Sequence, residues 1–174
     1  MGSYMLKMIR ILCTLIIFCT LNIHAVLNDE CVDAYIGYDK ATLEKYVKAA
    51  AAHWNVDLEI VRGVIYVESR WRYCEESIKG AIGLMQVMPK TANYMGFVGE
   101  TYLRLYEPRK NLYYGCRYIR MMLDYFNGDY KLALAAYYSG PGYVKKVLKR
   151  EGTESYIHNK VYRRYVEDVI SSAR

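Results

Sequence analysis

Apolar residues recur at three- and four-residue intervals along most of this chain, and no stretch of useful length alternates with a period of two. That spacing belongs to amphipathic helices and predicts an all-α fold. Residues 41–55, ATLEKYVKAAAAHWN, read as an alanine-rich helix. Asp57 is placed to cap a second helix, DLEIVRGVIYVES, whose first turn holds Glu59 where the helix dipole favours an acid. That helix ends near Ser69. Residues 70–83 keep no period and contain Gly80 and Gly83, so they read as a loop. Pro89 suits the first turn of a short helix ended by Gly96, and Pro108 opens a longer one reaching about Phe126. After the turn Asn127-Gly128-Asp129 comes an alanine-rich buried helix, 130–139, stopped by Ser139-Gly140-Pro141-Gly142. Two last helices are predicted at roughly 143–150 and 154–171. There is no internal repeat.

One residue breaks the pattern. Glu68 lies three, four and seven residues after Ile65, Val64 and Val61, which puts a carboxyl group on the apolar face of its helix. Burial favours the neutral form, and the last turn of a helix also disfavours negative charge. A carboxyl still protonated near neutral pH can donate a proton to a leaving group. Position alone leaves equally open an acid that turns to solvent or pairs with Arg70 or Arg72. The run GAIGLMQ, 80–86, follows with glycines three apart, so backbone there can pass close to a partner. Gln86 offers both donor and acceptor, suited to hydroxyl and acetamido groups. Glycines at this spacing also occur in plain tight loops.

Composition narrows the setting. At 174 residues, 53% hydrophobic and 24% charged, the chain is long enough for one domain with a sizeable core, and disorder is excluded. Lys7 and Arg10 precede the apolar run ILCTLIIFCTL, and Ile23-His24-Ala25 supplies a cleavage point, so residues 1–25 are expected to be a secretory signal. Residues 26–40 are then a leader, and residues 41–174 the folded domain. An uncleaved signal would be the membrane attachment. Export argues against nucleic acid as a partner, despite a formal net charge of +6. The excess sits late, with Lys145, Lys146, Lys149, Arg150, Lys160, Arg163 and Arg164 between residues 144 and 164. Such a run is a solvated helical face or a surface for a polyanion or cell wall. After cleavage Cys31, Cys74 and Cys116 remain, giving one bridge and one free thiol in an oxidising compartment. Their spacing is not that of a zinc site, and neither metal nor cofactor is expected. Twenty tyrosines against three phenylalanines are mostly packing residues, with some available as polar-tipped faces for a sugar or peptide.

Four segments, in this order, resemble the soluble lytic transglycosylase family, whose members cleave peptidoglycan and share a goose-type lysozyme-like fold. They are Glu68-Ser69; Gly80 to Gln86 with Met88-Pro89; Asn111 to Gly115 leading into Tyr118; and Ala135-Ala136-Tyr137 with Gly140-Pro141-Gly142. Thr153 with Tyr156 is a weaker fifth match. The resemblance implies Glu68 as the single acid/base. It would protonate the glycosidic oxygen between N-acetylmuramic acid and N-acetylglucosamine, then accept the proton of the muramyl 6-hydroxyl that attacks its own anomeric carbon. A 1,6-anhydro end forms and no water is consumed. The resemblance further implies that Ser69 and Gln86 line the cleft, Met85 packs beneath the sugar, Tyr137 holds substrate or floor, and Tyr156 orients Glu68. A core role alone remains open for each of these except Glu68. Peptidoglycan strands become the partner, met in the periplasm or cell envelope by a monomer, with a cell-envelope secretion or conjugation machine as a further candidate partner.

Glycosidases ordinarily use two carboxylates. The candidates for a second are Glu75, Glu76, Asp124 and Asp129, but intramolecular attack needs none. Two positions depart from the family pattern. Tyr138 stands where an asparagine is usual and would stack on a sugar or narrow the groove, and Gly152 stands where an acid is common. Since the segments bearing Cys74 and Cys116 border the cleft in this family, the resemblance favours a Cys74–Cys116 bridge, with pairs using Cys31 as the alternatives. Two rival activities stay open: hydrolysis of the same bond by water, or a wall-binding and assembly role without catalysis.

Overall fold

The structure, a computed structural model, describes residues 38–99, 101–158 and 160–173, without the side chains of 151–162. The expected signal and nearly all of the leader lie outside these residues. Among the described residues, seven helices form within the unit Asp39–Arg174. They are α1 (Lys40–Trp54), α2 (Leu58–Ser69), α3 (Pro89–Tyr94), α4 (Pro108–Tyr125), α5 (Tyr130–Ser139), α6 (Pro141–His158) and α7 (Lys160–Ser172). A 3-10 turn at Tyr102–Tyr106 lies between α3 and α4. Among the described residues no strand forms, only the isolated bridges Glu76 to Ile82 and Ile82 to Val87. The all-α expectation holds.

Local chemistry sets the boundaries. Asp39, Asp57 and Asp129 each accept a backbone N–H from the first turn of the helix that follows, satisfying donors that have no partner within the helix. Asn55 and Arg70 close α1 and α2 in the left-handed conformation, at φ 49° and 53°. Pro89 and Pro108 open α3 and α4 as expected. The C-terminal boundaries differ from the sequence reading. No break occurs at Glu151-Gly152-Thr153; α6 runs through Gly152 to His158, and the next helix starts at Lys160. One glycine costs a helix only about 1 kcal/mol, too little by itself to end one.

The core is built from helix faces. Leu43, Val47 and Ala51 of α1 bury one stripe, and Leu112, Cys116, Ile119 and Leu123 of α4 bury the facing one. Ala133 to Ala136 bury the middle of α5 between its neighbours. Helix α2 lies directly on α7. A Cβ on Gly63 would sit 2.3 Å from the Val169 carbonyl oxygen, so only glycine allows this approach. That contact places the site, because Glu68 is five residues after Gly63 and Tyr165 is four before Val169. In two helices crossing in opposite directions, the next turn from Gly63 and Val169 brings those side chains together.

Candidate active site

Glu68 projects from the last turn of α2 beside Ile65 and Val64, both fully buried. The Tyr165 hydroxyl donates to its Oε1 at 2.7 Å. Burial pushes the Glu68 carboxyl up from 4.5 to about 7, and the hydrogen bond from Tyr165 only partly opposes this. Arg72 pairs with Glu75 at 2.8 Å, and the Arg70 guanidinium lies over the Tyr66 ring, so neither arginine serves as the partner of Glu68. The acid is held by a phenol rather than by a cation.

A consequence for stability follows. Between pH 4.5 and about 7, folded Glu68 keeps a proton that the unfolded chain has released. Folding therefore weakens as pH rises through that window. Glu68→Gln removes the titration. The variant is expected to match wild type near pH ~4 and to exceed it above neutrality by on the order of 1–3 kcal/mol. Urea unfolding of both proteins at the two pH values measures the difference. Equal stabilities above neutrality would mean that the carboxyl is not buried at a cost.

The loop after α2 is folded onto α4. Ile82 and Val87 exchange two backbone hydrogen bonds, at 3.1 and 2.9 Å, with Gly83 and Gln86 in left-handed conformations between them. Asn111 of α4, fully buried, ties the loop down. Its Nδ2 donates to the carbonyls of Ile82 and Leu105 at 2.7 and 2.8 Å, and its Oδ1 accepts the Met85 N–H at 2.8 Å. A Cβ on Gly83 would meet Asn111 Nδ2 at 2.3 Å, and one on Gly115 would meet Met85 Sδ at 2.4 Å. Gly83 and Gly115 are thus packing requirements, whereas Gly80 has open space around it and takes a positive φ of 78°.

The residues picked out in the sequence take distinct places. Met85 is fully buried under the loop and its backbone carbonyl accepts the Tyr137 hydroxyl at 2.6 Å. Gln86 spends its Nε2 on the carbonyls of Glu75 and Gly83. Ser69 is buried, with its Oγ donating back to the Ile65 carbonyl. Tyr138 stacks on Tyr165 with ring centroids 4.7 Å apart. The role implied for Tyr156 falls on a side chain outside the described residues. Tyr165 was not anticipated as the partner of Glu68. Its sequence signal is the inward stripe Tyr165, Val166 and Val169, all buried on α7. Burial and the nearby Glu68 carboxyl hold both the Tyr137 and Tyr165 hydroxyls well above the usual phenol range, so both stay protonated donors.

The four acids considered as second carboxylates are engaged elsewhere. Glu75 pairs with Arg72, Glu76 accepts the Tyr106 hydroxyl, Asp124 pairs with Arg120 at 2.6 Å, and Asp129 caps α5. The favoured bridge is corrected: Cys74 is disulfide-bonded, but Cys116 is a free thiol. Cys74 lies at the surface, whereas Cys116 is wholly buried on α4 with its Sγ 4.0 Å from Met85 Sδ and its thiol pushed up to about 12 by burial. A groove of about 590 Å³ adjoins the site, lined by Met88, Lys90, Tyr94, Tyr118, Met121 and Tyr125 among others. Tyr118 connects it to the centre, its ring 5.4 Å from that of Tyr137.

Residues 45–160 match the family model of the Transglycosylase SLT domain. This chain belongs to that family, and its all-α fold is the lysozyme-like fold of lytic transglycosylases. A transglycosylase of Enterobacteria phage PRD1 is 39% identical over 94 residues, 54% of this chain and 33% of the phage protein. Membrane-bound lytic murein transglycosylase F of Cellvibrio japonicus is 35% identical over 105 residues, 57% of this chain and 20% of that one. Among solved structures, an inactive mutant of lytic transglycosylase Slt from Pseudomonas aeruginosa superposes with a TM-score of 0.66 at 29% identity, covering 74% of this chain and 23% of that chain. The chain thus spans a third or less of the length of these relatives.

Proposed function

We propose that this protein cleaves peptidoglycan glycan strands between N-acetylmuramic acid and N-acetylglucosamine as a lytic transglycosylase, with Glu68 as its single acid/base. The observation that carries the reading is the half-buried Glu68 carboxyl, held by the Tyr165 hydroxyl at 2.7 Å and pushed up to about 7 by its loss of solvent. Near neutral pH much of the population keeps the proton that the leaving oxygen needs. As the bond from the muramyl anomeric carbon to the glycosidic oxygen breaks, that proton moves from Glu68 to the departing oxygen. The resulting carboxylate still accepts from Tyr165, which stabilises the new charge. It then removes the proton of the muramyl 6-hydroxyl as that oxygen bonds to the anomeric carbon. Glu68 is restored to its protonated form and the ring closes as a 1,6-anhydro sugar.

The engagement of Glu75, Glu76, Asp124 and Asp129 in other contacts favours this route over hydrolysis. Activating an external water calls for a second carboxylate across the sugar. The glycan would lie along the groove that leads past Tyr118. On this reading the protein acts in the cell envelope, the destination of the signal-like residues 1–25. The test is a digest of purified peptidoglycan followed by mass spectrometry. The expected products are muropeptides with anhydro ends, each lighter by one water than the hydrolytic counterpart. Reducing muramyl ends alone would replace the reading with a muramidase.

A further inference from the structure

Tyr138 occupies the position where the family pattern has asparagine, and its ring has a specific partner. It stacks on Tyr165 at 4.7 Å between centroids with 30° between planes, a separation at which aromatic rings attract. Tyr165 is only 6% exposed and Tyr138 is 51% exposed, so the outer ring covers the inner one. The covered ring carries the hydroxyl that donates to Glu68. Acid, phenol and outer ring therefore form one stack of contacts running from α2 through α7 to α5. The preceding residue works on the other side, since Tyr137 bonds the Met85 carbonyl and fastens the loop. Two consecutive tyrosines at the end of α5 thus secure the loop and the phenol that flank the acid.

We infer that Tyr138 is a positioning residue for Glu68: its ring holds Tyr165 in place and keeps water from the phenol–carboxyl hydrogen bond. The inference rests on Glu68 being the proton donor of the proposed reaction. An asparagine has no ring face with which to cover Tyr165. The titratable groups that face Glu68 among the described residues are the phenols of Tyr137 on α5 and Tyr165 on α7, with Tyr138 of α5 behind the latter. Neither Tyr137 nor Tyr165 brings a charge near neutral pH. Losing the cover would admit water and also loosen the hydrogen bond, and these two changes act in opposite directions. Burial is the larger of the two influences on Glu68, so opening the stack lowers the pH at which the carboxyl releases its proton.

The experiment follows the Glu68 carboxyl directly, in the full chain without substrate. Carbon-13 side-chain labelling of glutamate gives its resonance, assigned by its loss in Glu68→Gln. Titration is compared in wild type, Tyr138→Asn and Tyr138→Phe. The midpoint is expected to fall by about one pH unit in Tyr138→Asn and to stay with wild type in Tyr138→Phe, which keeps the ring. An unchanged midpoint in Tyr138→Asn would overturn the inference. So would an equal fall in Tyr138→Phe, which would assign the effect to the hydroxyl. Should the asparagine variant not fold, Tyr138→Leu carries the same comparison, because leucine also lacks a ring face. In peptidoglycan clearing, the limb of the kcat/KM profile that falls at high pH should shift down with the midpoint. A shifted midpoint in a protein that cleaves no peptidoglycan would refute the proposed function and leave only the physical contact standing, the Tyr138 ring shielding the phenol–carboxyl hydrogen bond.

Discussion

Replacing Glu68 by glutamine is expected to slow peptidoglycan clearing by roughly 100- to 10,000-fold, the range that general acid–base catalysis supplies. The amide has the size of the acid, and its oxygen still accepts the Tyr165 hydroxyl. What it lacks is a proton that can be released to a glycosidic oxygen. Fold and binding should therefore persist while turnover is lost. Turbidity of a suspension of purified cell-wall sacculi measures the rate, and co-sedimentation measures binding. A loss of less than about tenfold would mean that another group donates the proton. If wild type itself clears nothing and both proteins bind alike, the chain is a wall-binding module with a vestigial site.

The largest stability effect is expected at Asn111. Its buried amide serves three backbone groups, the Ile82 and Leu105 carbonyls and the Met85 N–H. Alanine would leave all three without a partner beneath a loop that packs directly on the amide. Each orphaned buried group costs about 1–3 kcal/mol, so Asn111→Ala should destabilise the fold by on the order of 3–9 kcal/mol. The corresponding fall in Tm is roughly 10 °C or more. Clearing activity should drop as well, because the same loop carries the Met85 carbonyl that receives Tyr137. Calorimetry provides the check. A loss below about 1 kcal/mol would show that the loop holds its shape without Asn111.

Much of this architecture was legible before any coordinates. Glu68 stood out because helical periodicity alone places it beside Val61, Val64 and Ile65, and Asp57 and Pro108 marked helix starts through local chemistry. What stayed hidden depends on contacts between distant segments. Tyr165 lies ninety-seven residues from Glu68, and only the glycine-mediated crossing of α2 and α7 at Gly63 and Val169 brings them together. Many of the twenty tyrosines sit on helical faces, so nothing local singled this one out. The cysteine pairing failed for a related reason: the sequence shows which cysteines exist, but not that Cys116 faces inward beneath Met85 while Cys74 stays at the surface. The expected gap between the last two helices, at 151–153, does not occur, since a single interior glycine costs a helix only about 1 kcal/mol. Tyr138 was visible as a departure from the family pattern, yet its stacking partner was not.

The central claim is that one partly desolvated carboxyl cleaves the strand and that the attacking oxygen belongs to the sugar. Digestion of peptidoglycan in heavy-oxygen water tests it most directly. Wild-type enzyme should produce 1,6-anhydromuramoyl ends whose mass carries no solvent oxygen, and Glu68→Gln should produce none. Solvent oxygen incorporated at the newly formed muramyl ends would contradict the account, because it would make water the nucleophile.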